Sequence, residues 1–441
     1  MSPQEWLALG LLAGFFALLM LGVPVGITLA ASGFLFGFLG FGESLFHLLP
    51  ARIYGVVANY QWLAIPLFVF MGVMLEKSRL AEDLLDVIGH LAGGLRGGMA
   101  VGIIGVGVLM GATTGIVGAT VITLGLLTLP TLLRRGYDPA ISCGAICASG
   151  TLGQIIPPSL VLILLSDIMQ LSVGTLFAAA VMPGLLLAGL YVLWIVGVGI
   201  VRPNAMPPVP RAERDALSRR ALWLRVAKVA FPPLALVFAV LGSIIGGIAA
   251  PTEAASMGAL GSILVVAMAR RLNMGVLREV VRSTTRTSAM VLFILVCSQV
   301  FSLAFRGLQG ERLIEDLFAF LPGGTATAIW FLMAVIFVLG FFIEWIEISY
   351  IAVPLFLPVF VAAGVDLVWL AMLITINLQT SFLTPPFGWA LFFLRGVAPP
   401  GVTTRHIYLG VLPFIALQAL GLTLVFLWPP IATWLPNAIG W

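Results

Sequence analysis

Two carboxylates stand inside an apolar stretch, in Glu344-Trp345-Ile346-Glu347-Ile348-Ser349, and the whole segment Thr325–Ala363 contains no Lys or Arg. Carboxylates at membrane depth are costly and mark functional positions. Glu344 and Glu347 either cap free backbone N–H groups at a turn or shape a cation site, and one carboxylate can do both. Three further stretches combine small, hydroxylic and helix-breaking residues. Ala112–Thr120 sets Thr113 and Thr114 beside Gly115 and Gly118; glycine permits a turn and threonine offers hydroxyl oxygens. Ser149–Ser159 holds Gly150, Thr151, Gly153 and Pro157-Pro158, and Asn377–Gly388 holds Gln379, Thr380, Thr384 and Pro385-Pro386. Proline withholds an N–H, so a carbonyl one turn back stays open. Open carbonyls suit a cation such as Na⁺, and the N-termini of half-helices suit an anion. Glycine and proline also serve helix packing and kinks. Four such stretches in two matched pairs point instead to binding.

Other chemistries find no support in the residue pattern. Cys143, Cys147 and Cys297 lie in apolar stretches without disulfide or metal spacing, and read as small packing residues. The chain has no GxxxxGK[ST] loop and no HExxH pair. It is therefore read as neither an enzyme nor a carrier with its own ATP drive. Asp167, Glu253 and the three histidines fall near expected span ends and read as interfacial.

The elements that would hold these residues are membrane helices. Of 441 residues, 61% are hydrophobic and 9% charged, against about 25% charged in soluble domains. Lipid admits only helices and closed barrels, and the apolar runs are long and do not alternate, so helices are expected. Trp6–Leu21 has no basic flank and reads as a mature span rather than a leader.

A repeat organises the spans. Leu129-Pro130 recurs as Leu357-Pro358, Gly136-Tyr137-Asp138 as Gly364-Val365-Asp366, and Pro157-Pro158 as Pro385-Pro386, all 228 residues apart. Each half reads as span, surface helix, re-entrant hairpin, broken helix, span. The divisions are N-terminal scaffold helices at 1–59 and a first repeat at 60–200, with surface helix 79–95, hairpin 97–133 and broken helix 138–167. A basic loop and scaffold helix pair follow at 201–286. The second repeat is 287–428, with surface helix 307–323, hairpin 325–363 and broken helix 366–394, and a tail closes the chain at 429–441. With the basic clusters Arg202–Lys228 and Arg270–Arg286 placed in the cytoplasm, the first hairpin enters from inside and the second from outside. The repeats are then inverted, a transporter pattern with sites at broken helices. The basic loop is expected to meet anionic membrane lipid, with no nucleic-acid partner. The expected fold is an all-α polytopic membrane protein of about ten transmembrane helices plus two re-entrant hairpins in inverted repeats.

The motifs GVPVGITLA at Gly22, LAIPLFVFMG at Leu63, GYDPAISCGAICASGTLGQIIPPS at Gly136, APTEAAS at Ala250 and NLQTSFLTPPFG at Asn377 resemble the large membrane subunit of TRAP transporters, the tripartite ATP-independent periplasmic carriers. The resemblance covers nearly the whole chain. It implies sodium symport of a small carboxylate, delivered by a periplasmic substrate-binding protein, with a small four-helix membrane subunit as partner in a bacterial inner membrane. It further implies an ion-transporter-like elevator fold in which hairpins and broken helices move against a scaffold. By position, the family's sodium sites correspond to Gly115, Gly118, Gly150, Gly153 and Pro157, and to Glu344, Glu347, Gln379, Thr380 and Pro385. The substrate is expected at Thr113, Thr114, Thr151, Ser349 and Thr384. The alternative is a stand-alone sodium-coupled organic anion carrier that needs no binding protein.

Overall fold

The computed structural model describes residues 2–78, 82–85, 87, 91, 94–115, 117–210, 219–319 and 322–441. Much of the surface helix expected at 79–95 and the tip residue Ile116 lie outside the described residues, as do the side chains of Thr113 and Thr114. The apolar runs fold as helices: α1 (Pro3–Met20), α2 (Val25–Phe41), α3 (Ser44–Val57), α4 (Ala64–Lys77), α5 (Gly98–Thr114), α6 (Val117–Arg134), α7 (Pro139–Thr151), α8 (Leu160–Ile168), α9 (Val173–Val201) and α10 (Arg219–Val229). The series continues with α11 (Phe231–Ile245), α12 (Pro251–Met268), α13 (Met274–Gly307), α14 (Gly310–Ala319), α15 (Gly324–Leu339), α16 (Trp345–Ala362), α17 (Leu367–Leu383), α18 (Trp389–Val397), α19 (Thr404–Leu427) and α20 (Pro430–Ala438). Among the described residues, 7 helices are long and apolar enough to cross a membrane, or 9 if each of two bent helix pairs is one span. The chain is a polytopic all-α membrane protein.

The repeat is visible in the caps. Helices α6 and α16 begin and end at equivalent residues, and α7 and α17 begin at Pro139 and Leu367. Each of these two starts behind an aspartate. Asp138 Oδ1 accepts from the N–H groups of Ala140 and Ile141 at 2.8 and 3.1 Å. Asp366 Oδ1 accepts from Val368 and Trp369 at the same two distances. Such caps satisfy donors that a helix leaves free. Just before them, Gly136 and Gly364 both take positive φ, the left-handed backbone that closes a helix and that glycine adopts without steric cost. Both diproline peptides, Pro157-Pro158 and Pro385-Pro386, are cis.

Four segments differ from the sequence reading. Helix α13 runs unbroken through residue 286, where a loop was expected to end. Its Arg278, Glu279, Arg282 and Arg286 are exposed, while Val280, Thr284, Ser288 and Val291 form a buried stripe. The charges thus occupy one helical face rather than a loop. Segment 429–441 carries α20, which packs on α9 with Trp441 against Gly174. A third N-terminal helix, α3, precedes the bend into α4. The surface helix expected at 307–323 is confined to α14, because α13 continues to Gly307.

Around the breaks, α7 packs against α5, α6 and α19, and α17 against α15 and α19. The closest approach is between α7 and α19. A Cβ on Gly144 would sit 2.0 Å from Gly410 O, and one on Gly410 would sit 1.9 Å from Ala140 O. Only glycine lets these backbones touch.

Candidate functional site

The first break begins where α7 tightens into a 3₁₀ turn, Leu152–Gln154, and the chain then extends to Ser159 before α8 resumes. Pro157 and Pro158 present no N–H to the carbonyls of Gly153 and Gln154. Gln154 O is taken instead by the Ser159 hydroxyl, which donates at 2.5 Å. From Leu152 to Leu160 every residue is buried except Ile156, which is half-buried.

The second break follows α17. Pro385 and Pro386 leave the carbonyls of Ser381 and Phe382 without their helical donors, and Thr384 N–H turns back to Ser381 O at 3.2 Å. Tyr408 Oη donates to Pro386 O at 3.1 Å. Here Thr384 and Pro385 are half-buried, and Pro386 and Phe387 are exposed. The resumed half-helices α8 and α18 both start without a side-chain cap, at Ser159 and Gly388. Each therefore keeps backbone N–H groups available to an anion.

Each hairpin presses on its own break. In the first, a Cβ on Gly111 would lie 2.6 Å from Gly153 Cα, and Gly150 abuts Val121. Gly115 ends α5 at φ +60, with its Cβ position 3.4 Å from Leu160 N. Gly118 faces the Phe393 ring of α18, so the first tip also touches the second half. In the second hairpin, a Cβ on Gly340 would meet Ser381 Oγ at 2.1 Å, and Phe342 at the turn packs against Phe387 of the break, ring centroids 6.0 Å apart. Tips and breaks thus meet within each half.

Glu344 occupies the cap position of α16 but its carboxylate makes no capping bond. Of the two readings for this residue, side-chain capping is not what it does. Glu347 is only 5% exposed, and its Oε2 has no hydrogen-bond partner. Ser349 donates to Trp345 O at 2.7 Å, Thr380 to Ile376 O at 2.9 Å and Thr384 to Thr380 O at 2.8 Å. Their protons are spent within the helix, so their lone pairs remain for a cation. Among the described residues no three His, Cys, Asp or Glu side chains converge as a metal cluster. A cation here would meet carbonyls, hydroxyls and the Glu347 carboxylate. Thr151 and Gln379 turn elsewhere, into a buried polar cluster with Tyr191 and Gln418. Sequence reasoning missed those two partners. The available signal was spacing: the residue equivalent to Tyr191 is Ala419, next to Gln418. Asp167 of α8 also has a partner, accepting at 2.7 Å from Nδ2 of Asn59, which stands in the bend between α3 and α4. Cys143, Cys147 and Cys297 are free and buried.

Comparison with known proteins bears on this arrangement. The family model described as "Tripartite ATP-independent periplasmic transporter, DctM component" matches residues 12–431. A C4-dicarboxylate TRAP transporter large permease of Pseudomonas aeruginosa is 31% identical, over 89% of this chain and 90% of its own. An ectoine TRAP transporter large permease of Halomonas elongata is 30% identical, over 96% and 98%. A sialic acid TRAP transporter permease of Haemophilus influenzae is 26% identical, over 96% of this chain and 67% of its own. In fold, the chain is similar to the crystal structure of the Alcanivorax borkumensis YdaH transporter, with a TM-score of 0.59 and 16% identity over 89% of this chain and 90% of that one. With the family model spanning almost its full length and relatives matched over most of it, this chain belongs to the DctM-component family, the large permeases of tripartite ATP-independent periplasmic transporters.

Proposed function

We propose that this permease imports a small carboxylate by sodium symport, receiving it from a periplasmic binding protein and moving it by elevator-type alternating access. The family is one of multi-pass inner-membrane transporters that work with a small membrane subunit and a binding protein. Its members are not enzymes. The observation that carries the finer reading is the pair of breaks, each backed by its own glycine-lined hairpin and each free of Lys and Arg. Without cationic side chains, an organic anion is held by the N-termini of α8 and α18 and by hydroxyls. Sodium suits the open carbonyls of the breaks and, in the second tip, the unpartnered carboxylate of Glu347. Relatives at similar identity are named for C4-dicarboxylate, ectoine and sialic acid, so identity alone does not choose the solute.

The test is uptake of labelled organic acids into proteoliposomes holding this chain and its small subunit. An inward Na⁺ gradient and the cognate binding protein are each supplied or withheld. Uptake that needs both supports the proposal. Uptake by the chain alone favours the stand-alone carrier, and uptake indifferent to Na⁺ removes the ion roles given to the breaks.

A further inference from the structure

Four buried polar side chains meet where the two halves cross, and two of them, Tyr191 and Gln418, have no role assigned above. Tyr191 Oη accepts from Gln379 Nε2 at 3.2 Å and from Gln418 Nε2 at 2.7 Å. Gln418 Nε2 also donates to Thr151 Oγ1 at 3.3 Å, and Thr151 donates onward to Ala148 O at 2.9 Å. All four side chains are fully buried. The members come in equivalent pairs. Thr151 and Gln379 are 228 residues apart, each just before its break, while Tyr191 and Gln418 stand one residue from that same spacing on the spans that close each half. The cluster therefore lies on the relation between the halves and ties one break to the other.

Local packing explains why it forms there. The glycine crossing of α7 and α19 at Gly144 and Gly410 brings the two helices into backbone contact. Two turns further on, Thr151 and Gln418 face each other. Phe414, one turn before Gln418, packs edge-on against the Tyr191 ring at 5.2 Å and 85°, which holds the phenol in place. Yet Gln379 Oε1 and Gln418 Oε1 have no partner. An unsatisfied buried acceptor lowers stability, and an apolar side chain of the same volume would avoid that loss. Stability alone does not account for this choice of residues.

We propose that Tyr191 and Gln418 are positioning residues for transport: they hold the first break in register with the second, so that one solute meets both. Neither residue lies in a break or a hairpin tip; they act through Thr151 and Gln379. The proposal rests on the reading that solute binds between the breaks.

The register can be measured without any ligand. Spin labels on Ile156→Cys and Phe387→Cys, one in each break, report an inter-break distance distribution by double electron–electron resonance. The native cysteines are buried. Gln418→Leu removes an unpartnered oxygen together with its two donated hydrogen bonds and should still fold; Tyr191→Phe is the stronger cut. The expected result is a broadened distribution in both variants. The KM should also rise about tenfold, with Vmax within about twofold, for whichever labelled C4-dicarboxylate, ectoine or sialic acid the wild type accumulates with its partner subunits. An unchanged distribution, or a broadened one with KM unmoved, overturns the proposal. If Tyr191→Phe fails to fold, Gln418→Leu decides. If no solute accumulates under a sodium gradient, the transport reading is what fails, and the distance distribution still decides the register.

Discussion

The two breaks share a position in the repeat and a backbone path, but not an environment. The first is sealed, with the Gly111 and Gly115 backbone lying directly against it. The second presents Pro386 and Phe387 to the outside, and Phe387 leans on Phe342 rather than under a backbone lid. Near-equivalent sequences in unlike surroundings teach that the difference lies in how each hairpin sits, not in the breaks themselves. The contrast fits the proposed alternating access, in which a carrier of inverted halves covers one half while it opens the other.

The largest test of that contrast uses the glycines that seat the hairpins. Gly111→Ala drives a methyl into the backbone of Gly153, which has nothing left to shrink. Overpacking of this kind costs about 1–3 kcal/mol, and the displaced hairpin should lower uptake by roughly 100-fold. Gly340→Ala instead meets the side chain of Ser381. Its loss should be about tenfold, and adding Ser381→Gly, which removes the side chain that the new methyl meets, should restore most of it. Uptake rates of the two single variants and the rescued pair decide this. If Gly340→Ala/Ser381→Gly is no faster than Gly340→Ala, the contact with Ser381 is not what seats the second hairpin.

Exposure is tested next. Phe387→Cys should react with a membrane-impermeant maleimide roughly thirtyfold faster than Ser159→Cys, because Phe387 is exposed and Ser159 is buried and reachable only through local opening. The native thiols are buried and give little background. Equal rates would erase the contrast. A reversed ratio on adding solute and Na⁺ would sharpen it into two states of one cycle.

The breaks and hairpins were legible in the sequence because Pro and Gly act on their own backbone. Pro157-Pro158 and Gly115 break or turn the chain wherever they stand. The Asp138 and Asp366 caps are local in the same way, with partners two and three residues away, although the sequence marks them only as part of the repeat. The Tyr191 cluster was not legible, because its members are 39 to 267 residues apart and owe their meeting to the packing of α7, α9, α17 and α19. The continuity of α13 was hidden for a related reason. Its arginines read as a loop until Val280 and Thr284 are seen to form a buried stripe beside them. Glu344 and Glu347 stood out as charges, but their difference in burial depended on the hairpin's seat.

That difference in burial is testable within the second tip. Glu347 is buried with an unpartnered oxygen, whereas Glu344 is half-buried at the helix cap position. If the proposed sodium symport holds, Glu347→Gln should raise the half-saturating Na⁺ concentration for uptake about tenfold, and Glu344→Gln by no more than about threefold, because a more buried carboxylate would interact more strongly with a cation. Equal shifts would make the pair one unit and remove the special place of Glu347.

The smallest effect is the one on which the halves should agree. Asp138 and Asp366 cap α7 and α17 with the same two bonds at the same distances. Removing such a cap costs about 0.5–2 kcal/mol. Asp138→Ala and Asp366→Ala should therefore lower thermal stability by similar amounts, near 1 kcal/mol each, although the breaks that follow these helices differ in exposure. Thermal unfolding of the two purified variants in one detergent measures this directly. Agreement would confine the asymmetry to the breaks and hairpin tips. A clearly larger loss for Asp138→Ala would mean that the sealed state of the first break reaches back through α7 to its cap, so that the whole helix, rather than the break alone, is what changes between states.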